Sequence, residues 1–311
     1  MPRFDITIAG ELNLVLILYG LPEQLVPERE LIADGMMLTL GSSSAIVAHN
    51  ASVLGSRVGF QSRIGDDQLG QIALERLKWG GVDVSQVRQV SSASTTGLTV
   101  ILPHGSWRNI LTYMGTIAEL SWDDLDLDYL ADSRHFHLSS YFLHRALRPR
   151  VSELFQFLKS KGLTISLDTN DDPEDRWEGF ADVLKYVDVL LPNEREACKM
   201  AGTEDVELAI QRLSRQVPLV VVKLGPKGSL AQRGSERVTS RPVKVTPIDT
   251  VGAGDSFDAG FLHEYVRGSD LAKCLATGNR TGALSTTRPG GTEAFRDVAH
   301  REGFFAEVVR E

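Results

Sequence analysis

The densest chemistry in this 311-residue chain lies in Asp249-Thr250-Val251-Gly252-Ala253-Gly254-Asp255-Ser256-Phe257-Asp258-Ala259-Gly260-Phe261. Two glycines allow a tight turn and a close approach of backbone to ligand. An apolar periodic run then continues to Val266 and stops at Gly268, so the segment reads as a loop that opens a helix. Unpaired amides and the positive end of the helix dipole suit a phosphate whose negative charge grows during transfer. A carboxylate at the same helix start can take the proton of an attacking hydroxyl, and Asp255 is placed for that role. The plainer reading is an Asp that only caps the helix. No Gly-Lys-Ser/Thr follows, so this is not a Walker A loop, and the third glycine of a dinucleotide fingerprint is absent.

Such a loop has to be carried by a scaffold, and the apolar runs describe one. Ile6 to Ala9, Phe136 to Leu138, Leu163 to Leu167, Val187 to Leu191 and Leu219 to Leu224 read as parallel strands covered on both faces. Between them Asp66 to Trp79, Arg150 to Lys161, Asn193 to Ala201 and Val206 to Gln216 are long enough for crossover helices. Ligands of open α/β sheets bind beyond the carboxyl ends of the strands. Asp168-Thr169-Asn170, Asn193 to Glu196 and Lys223 to Gly228 are therefore expected to line one crevice, with Ser139 and Ser140 at the end of another strand. Thr96 to Leu102 and Trp107 to Tyr113 read as an antiparallel hairpin around Pro103-His104-Gly105-Ser106. With segments near 12–20 and 31–40, this 95–115 region is expected to form a small β-sheet lid on a single 1–311 domain.

Bulk properties narrow the partners. A formal net charge of -8 offers no broad attraction for nucleic acid or an anionic membrane, which leaves small molecules. Cys198 and Cys274 are far apart and form no CxxC pair, so neither a disulfide framework nor a zinc site is expected. His135 and His137 share a strand face but, like His144, have no Cys or Glu cluster at ligand spacing, and read as packing or substrate-lining groups. The start at Met1 lacks the pattern of a signal peptide and the longest apolar stretch, Leu14 to Tyr19, is too short for a bilayer, which predicts a cytoplasmic protein.

In their order along the chain these motifs resemble the ribokinase-like, PfkB-type family of carbohydrate kinases over nearly the whole length. Asp249 to Phe261 resembles the family's C-terminal signature, and Gly41 to Gly55 followed by Ile64-Gly65-Asp66-Asp67-Gln68-Leu69-Gly70 resembles its N-terminal one. Asp168-Thr169-Asn170, Pro192-Asn193-Glu194-Arg195-Glu196 and Lys223-Leu224-Gly225-Pro226-Lys227-Gly228 resemble its Asp-x-Asn, Asn-x-x-Glu and Gly-x-x-Gly elements. The resemblance implies a three-layer α/β/α sandwich with a β-sheet lid, and a sugar or sugar-like acceptor phosphorylated by ATP with Mg2+. Asp255 would be the base and Gly252, Ala253 and Gly254 the anion hole. Asn193 and Glu196 would organise Mg2+ through water, which fits a hard ion that keeps several waters; the same spacing also makes a plain capping box. Lys223, Gly225, Gly228 and Asn279 would flank the nucleotide, although Gly-Pro-Lys-Gly is also ordinary turn chemistry. Asp249, with carbonyls near Ser285, Arg288 and Gly290, would hold a monovalent cation such as K+. Lids in this family often pair, which implies a homodimer.

Two positions depart from the family pattern. Gly10-Glu11-Leu12-Asn13-Leu14-Val15 ends in valine where an Asp holds substrate hydroxyls, and Gly41-Ser42-Ser43-Ser44-Ala45-Ile46 ends in isoleucine where an Asn is usual. A polyol bound in the usual pose would lose two hydrogen-bond partners, each worth about 1 kcal/mol or more. Asn13, Gly41, Ser42, Asp168, Asn170 and Arg108 remain the candidate acceptor contacts, with Ser44, Asp34, Asn50, Arg63 and Asn109 as further compensating groups. An aliphatic patch at Val15 and Ile46 would suit a deoxy carbon or a nucleobase. The readings left open are a sugar kinase, a nucleoside kinase and a non-catalytic ligand-binding relative.

Overall fold

A computed structural model describes residues 2–91, 94–104 and 107–308. The strands are β1 (Phe4–Ala9), β2 (Leu14–Tyr19), β3 (Gly35–Leu40), β4 (Val58–Gly65), β5 (Asp83–Val90), β6 (Leu98–His104), β7 (Trp107–Tyr113), β8 (Ser133–Leu138), β9 (Thr164–Leu167), β10 (Val189–Leu190), β11 (Leu219–Lys223), β12 (Ser229–Arg233) and β13 (Glu236–Ser240). The helices are α1 (Ser43–Val53), α2 (Gln68–Trp79), α3 (Leu127–Ala131), α4 (Val151–Ser160), α5 (Ala181–Leu184), α6 (Glu194–Ala201), α7 (Val206–Leu213), α8 (Ala253–Tyr265), α9 (Leu271–Ser285), α10 (Glu293–Arg296) and α11 (Val298–Val308).

The main sheet runs β13-β12-β11-β10-β9-β8-β1-β4-β5 and is parallel from β11 to β5, with β12 and β13 antiparallel at one edge. Apolar side chains leave it on both faces, which is why the strands read as continuous apolar runs. One face packs with Leu154, Phe155 and Leu158 of α4 and Ala209, Ile210 and Leu213 of α7. The other packs with Ala45 and Ala48 of α1, Phe257 and Phe261 of α8, and Leu275 of α9. The result is the expected α/β/α sandwich. Among the described residues no helix is long and apolar enough to cross a membrane.

A second sheet has the order β3-β2-β6-β7, with β2 and β6 parallel and the outer pairs antiparallel. Its strands fall inside the expected segments, but β3 starts only at Gly35, and the ladder reaches Pro103 and His104, which pair with Arg108 and Trp107. The expected turn at Gly105 and Ser106 lies outside the described residues.

Several boundaries differ from the sequence reading for local reasons. The helix expected from Asp66 begins at Gln68 because Asp67 is its cap, its Oδ1 accepting from Gly70 N at 2.8 Å. The other oxygen of Asp67 accepts from Thr96 N at 2.7 Å, so the Gly65-to-Gly70 motif pins the root of β6. Strands β4 and β5 were not expected: β4 mixes Gln61, Ser62 and Arg63 into its apolar run, and β5 carries Ser85, Gln86 and Arg88.

Candidate active site

The strand order reverses at β1, whose neighbours are β8 and β4, and such a switch point opens a crevice at the carboxyl ends. Glu11 follows β1 there and is buried. Its Oε1 accepts from Ser140 Oγ at 2.9 Å and from Ser44 N at 3.2 Å. Its Oε2 accepts from Ser44 Oγ at 2.7 Å and lies 3.1 Å from His144 Nε2. Burial alone would push this carboxyl up, but the His144 and Ser44 contacts hold it down at about 2. Gly10 makes room for the arrangement, since a Cβ there would stand 2.1 Å from Ser44 Oγ.

Around Glu11 three non-glycine residues adopt a positive φ, in the left-handed region of the backbone. Ser42, Ser140 and Asn170 have φ of 70°, 53° and 50°. Asn170 Oδ1 accepts from Ser140 N at 2.8 Å, joining the ends of β8 and β9. Ser42 caps α1, accepting from Ala45 N at 3.1 Å and donating to the Glu11 carbonyl. Gly41 passes so close to β2 that a Cβ would stand 2.9 Å from the Leu14 carbonyl carbon, and Asn13 Nδ2 donates to Leu14 O at 3.0 Å. Asn13, Gly41, Ser42 and Asn170 therefore meet at one crevice, together with Glu11 and Ser140.

Helix α8 enters the same crevice end-on. Gly252 adopts the left-handed conformation before it, with φ 72°, and Gly291 and Ile46 press against it: a Cβ on Gly252 would stand 2.6 Å from Gly291 Cα and 3.1 Å from Ile46 Cδ1. Asn50 secures this corner, its Nδ2 donating to Ser256 Oγ at 2.9 Å and Gly291 O at 3.0 Å. Asp255 sits in the first turn of α8 and is buried. Burial, reinforced by Asp168, raises its carboxyl to about 6, against the pull of Lys223 and a hydrogen bond from Ser43.

Beneath this turn Lys223 Nζ donates to Asp168 Oδ2 at 2.6 Å and to both oxygens of Asp258 at 3.2 Å. The other oxygen of Asp168 accepts from Asn170 N at 3.1 Å. The two residues expected to touch nucleotide and acceptor thus meet each other inside the protein, because a lone buried cation draws the nearest carboxylates. Burial raises Asp258 well above the ordinary carboxylate range, against the pull of Lys223.

On the far side of the crevice Asn193 and Glu196 form a complete capping box. Glu196 N donates to Asn193 Oδ1 at 2.9 Å and Asn193 N to Glu196 Oε2 at 2.9 Å. Burial and the nearby Asp168 raise Glu196 to about 7, against the pull of Lys223. Gly225 faces open space with φ 55°, whereas a Cβ on Gly228 would stand 2.1 Å from Ser240 O. Asn279 Nδ2 donates to Ser240 O and Arg241 O at 3.2 and 2.9 Å, which ties α9 to the end of β13.

The second sheet touches the loop before α8. Arg108 Nη1 donates to Thr250 Oγ1 at 3.0 Å and Tyr19 Oη to Asp249 Oδ2 at 3.1 Å. Val251, between them, packs against Val15, Ile17 and Ile101. Asp249 also accepts from Val251 N at 2.9 Å and Gly290 N at 3.0 Å, which leaves its carboxylate largely occupied. The histidines are structural: His135 lies 2.7 Å from both Thr164 Oγ1 and Ser166 Oγ, and His137 lies 2.7 Å from Ser166 Oγ and Ser139 Oγ. Among the described residues no group of three His, Cys, Asp or Glu side chains is arranged to hold a metal.

Sequence reasoning missed Glu11 and Asp258. Each had a signal: an acid immediately after a buried strand, and an acid one turn beyond Asp255 on a helix that is buried from Asp255 to Glu264.

Known proteins are similar to this chain in sequence and in fold. An uncharacterized sugar kinase of Archaeoglobus fulgidus is 30% identical over 249 residues, 78% of this chain and 96% of its own. A cytidine kinase of Thermococcus kodakarensis is 31% identical over 253 residues, 79% of this chain and 87% of its own. A 2-dehydro-3-deoxygluconokinase of Bacillus subtilis is 28% identical over 265 residues, 81% and 82% of the two chains. A ribokinase II candidate from E. coli, solved with ATP and Mg2+, superposes with a TM-score of 0.84 at 24% identity, covering 98% of this chain and 99% of its own. The model of pfkB family carbohydrate kinases matches residues 16–297, from within β2 past the start of α8 to the end of α10, and the chain belongs to that family.

Proposed function

We propose that the protein transfers the γ-phosphoryl group of ATP to a hydroxyl of a small sugar or sugar-like acceptor, with Asp255 as general base. The observation that carries this reading is the position of Asp255: a buried carboxyl with raised proton affinity, directly after the Gly252–Gly254 turn and at the end of α8 that faces the crevice. The acceptor hydroxyl gives its proton to Asp255 as its oxygen attacks the γ-phosphorus. The bond from phosphorus to the bridging oxygen breaks and ADP leaves with that electron pair. Amides at Gly252, Ala253, Gly254 and Asp255 receive the negative charge on the transferring group. Mg2+, when bound, neutralises phosphate oxygens; Asn193 and Glu196 fit a water-mediated contact to it, and the raised Glu196 carboxyl is the observation that favours them. Of the nucleotide-side residues, Gly225 has the open surroundings a ligand needs, while Gly228 and Asn279 shape the wall behind it. A K+ ion at Asp249 would have to share its carboxylate with three donors.

The acceptor has two different faces. Glu11, Ser140, Asn170, Asn13 and Ser42 offer it a polar floor, whereas Val15 and Ile46 present carbon beside Val251 and Gly252. A hydroxyl against that wall would lose its water without gaining a partner, so a carbon lacking a hydroxyl belongs there. Arg108, with no carboxylate partner in its own sheet, suits an acidic group on the acceptor. A deoxy sugar acid meets these conditions, in line with the deoxygluconokinase relative. A nucleoside is the second reading, favoured by the same aliphatic wall and by the cytidine kinase relative.

The second sheet acts as the lid, and its outer strand also offers a dimer surface: Trp107, Ile110, Leu111 and Tyr113 of β7 are 46 to 56% exposed on an edge strand. A second copy of the chain would cover them, and sedimentation equilibrium tests this, a monomer at micromolar concentration excluding it. A cytoplasmic setting, where ATP and Mg2+ are at hand, fits this activity. The test of the reaction is ADP release from Mg-ATP over a panel of sugars, sugar acids and nucleosides, with Asp255→Asn as the blank.

A further inference from the structure

We propose that Lys223 is the fixed cation of the anion hole: its ammonium, locked between Asp168 and Asp258 and packed beside Gly254, adds positive potential where the α8 amides receive the transferring phosphoryl group. The proposal rests on the kinase reading above and adds to it a positioning and field-setting residue.

Three observations lead there. First, the ammonium is held on two sides, at 2.6 Å from Asp168 and 3.2 Å from both oxygens of Asp258, so it cannot swing away as an exposed lysine does. Second, it abuts the hole itself, since a methyl group placed on Gly254 would stand 3.6 Å from Nζ. Third, two buried carboxylates converge on it with Glu196 and Asp255 nearby, and burial fails to neutralise Lys223 because Asp168 and Asp258 hold the charge on it.

Stability does not account for such an arrangement. A buried ion pair costs about as much in lost hydration as it returns, and apolar replacements are often as stable. A cation placed against the backbone amides of a water-poor site does have a catalytic use, because a charge that is already oriented stabilises a developing anion without reorganising. Asp168 and Asp258 then serve to keep the cation charged and stationary. This also explains why the lysine at the end of β11 points inward, when the Gly225 turn that follows it faces outward.

The experiment compares Lys223→Met and Lys223→Arg with the wild-type full-length chain. Turnover is followed as ADP release with the acceptor found in the panel and as the slower hydrolysis of ATP with water as acceptor. Lys223→Met is expected to lower kcat about 100-fold with KM for Mg-ATP within about threefold of wild type, and Lys223→Arg to regain at least about tenfold of the loss. If Lys223→Met does not fold, Lys223→Met with Asp168→Asn removes the cation together with its counter-charge and is compared with Asp168→Asn alone. The double variant turning over at least about tenfold more slowly than that single supports the proposal. Lys223→Met or the double variant within about threefold of its reference overturns it, as does a loss confined to KM. Near-normal activity in Asp255→Asn would instead remove Asp255 as the base, and no acceptor-dependent ADP release by the wild type would remove the kinase reading itself, whatever Lys223 does.

Discussion

Ser140 Oγ donates to Glu11 Oε1 at 2.9 Å across the point where the strand order reverses, so the ends of β1 and β8 share one buried carboxylate. Because Ser44 and His144 converge on the same group, Glu11 links the first helix, the sheet and the loop after β8. Glu11→Gln removes the charge and turns one acceptor into a donor facing donors. The expected cost is about 3 kcal/mol, read as a lowered urea midpoint with an unchanged slope. The sign of the pH dependence follows from the depressed carboxyl: its stabilisation is complete above the unfolded value of 4.5 and is lost as pH falls toward about 2. A Glu11→Gln protein whose stability falls with acid as steeply as wild type would show that Glu11 is not the responsible group.

As the proposed base, Asp255 would work only as a carboxylate, and burial with Asp168 raises it to about 6. The free-enzyme profile, kcat/KM against pH, is therefore expected to fall tenfold per unit below about 6, as a single protonation requires. A profile flat down to pH 5 would mean that another group accepts the proton.

Val15, where the sequence resemblance leads one to expect a hydroxyl-holding Asp, is buried with Ile17 and Ile101 against Val251. Val15→Asp is expected not to improve fructose or ribose as acceptors. It places a carboxylate in an aliphatic contact that docks the lid on the signature loop, and KM for the acceptor should rise about tenfold or more as docking weakens. Improved turnover of a neutral polyol in this variant would restore the usual sugar pose.

Arg108 reaches Thr250 from β7, the outer strand of the second sheet. Arg108→Ala should leave thermal stability unchanged, because the side chain is exposed. It should raise KM for an acidic acceptor about tenfold and change that for a neutral one far less. Equal effects on both would assign Arg108 to lid closure alone.

The parts of this site legible in the sequence are those whose chemistry is local. A Gly-x-Gly turn before an apolar run marks the start of α8 and so places Asp255, and Asn193 with Glu196 signals its own capping box. The strands of the parallel core are legible because both of their faces are apolar, whereas β4, with Gln61 and Ser62 bonded or buried inside the sheet, is not. What spacing cannot reveal is which charges meet across the fold. Lys223 and Asp168 are 55 positions apart and look like nucleotide and acceptor contacts until β9 and β11, flanking β10, bring their ends together under α8. Val15 and Ile46 likewise look like lost anchors in the sequence, and only the packing shows both turned toward the loop at Val251 and Gly252.

The measurement that tests the account most directly is ADP release from Mg-ATP with sugar acids, deoxy sugars, neutral sugars and nucleosides, run in parallel for wild type and Asp255→Asn with ATP binding measured on the same samples. The account predicts acceptor-dependent ADP release, greatest for an acceptor with a deoxy carbon, and a loss of at least about 1,000-fold in Asp255→Asn with ATP affinity retained. Near-normal turnover by Asp255→Asn would contradict it.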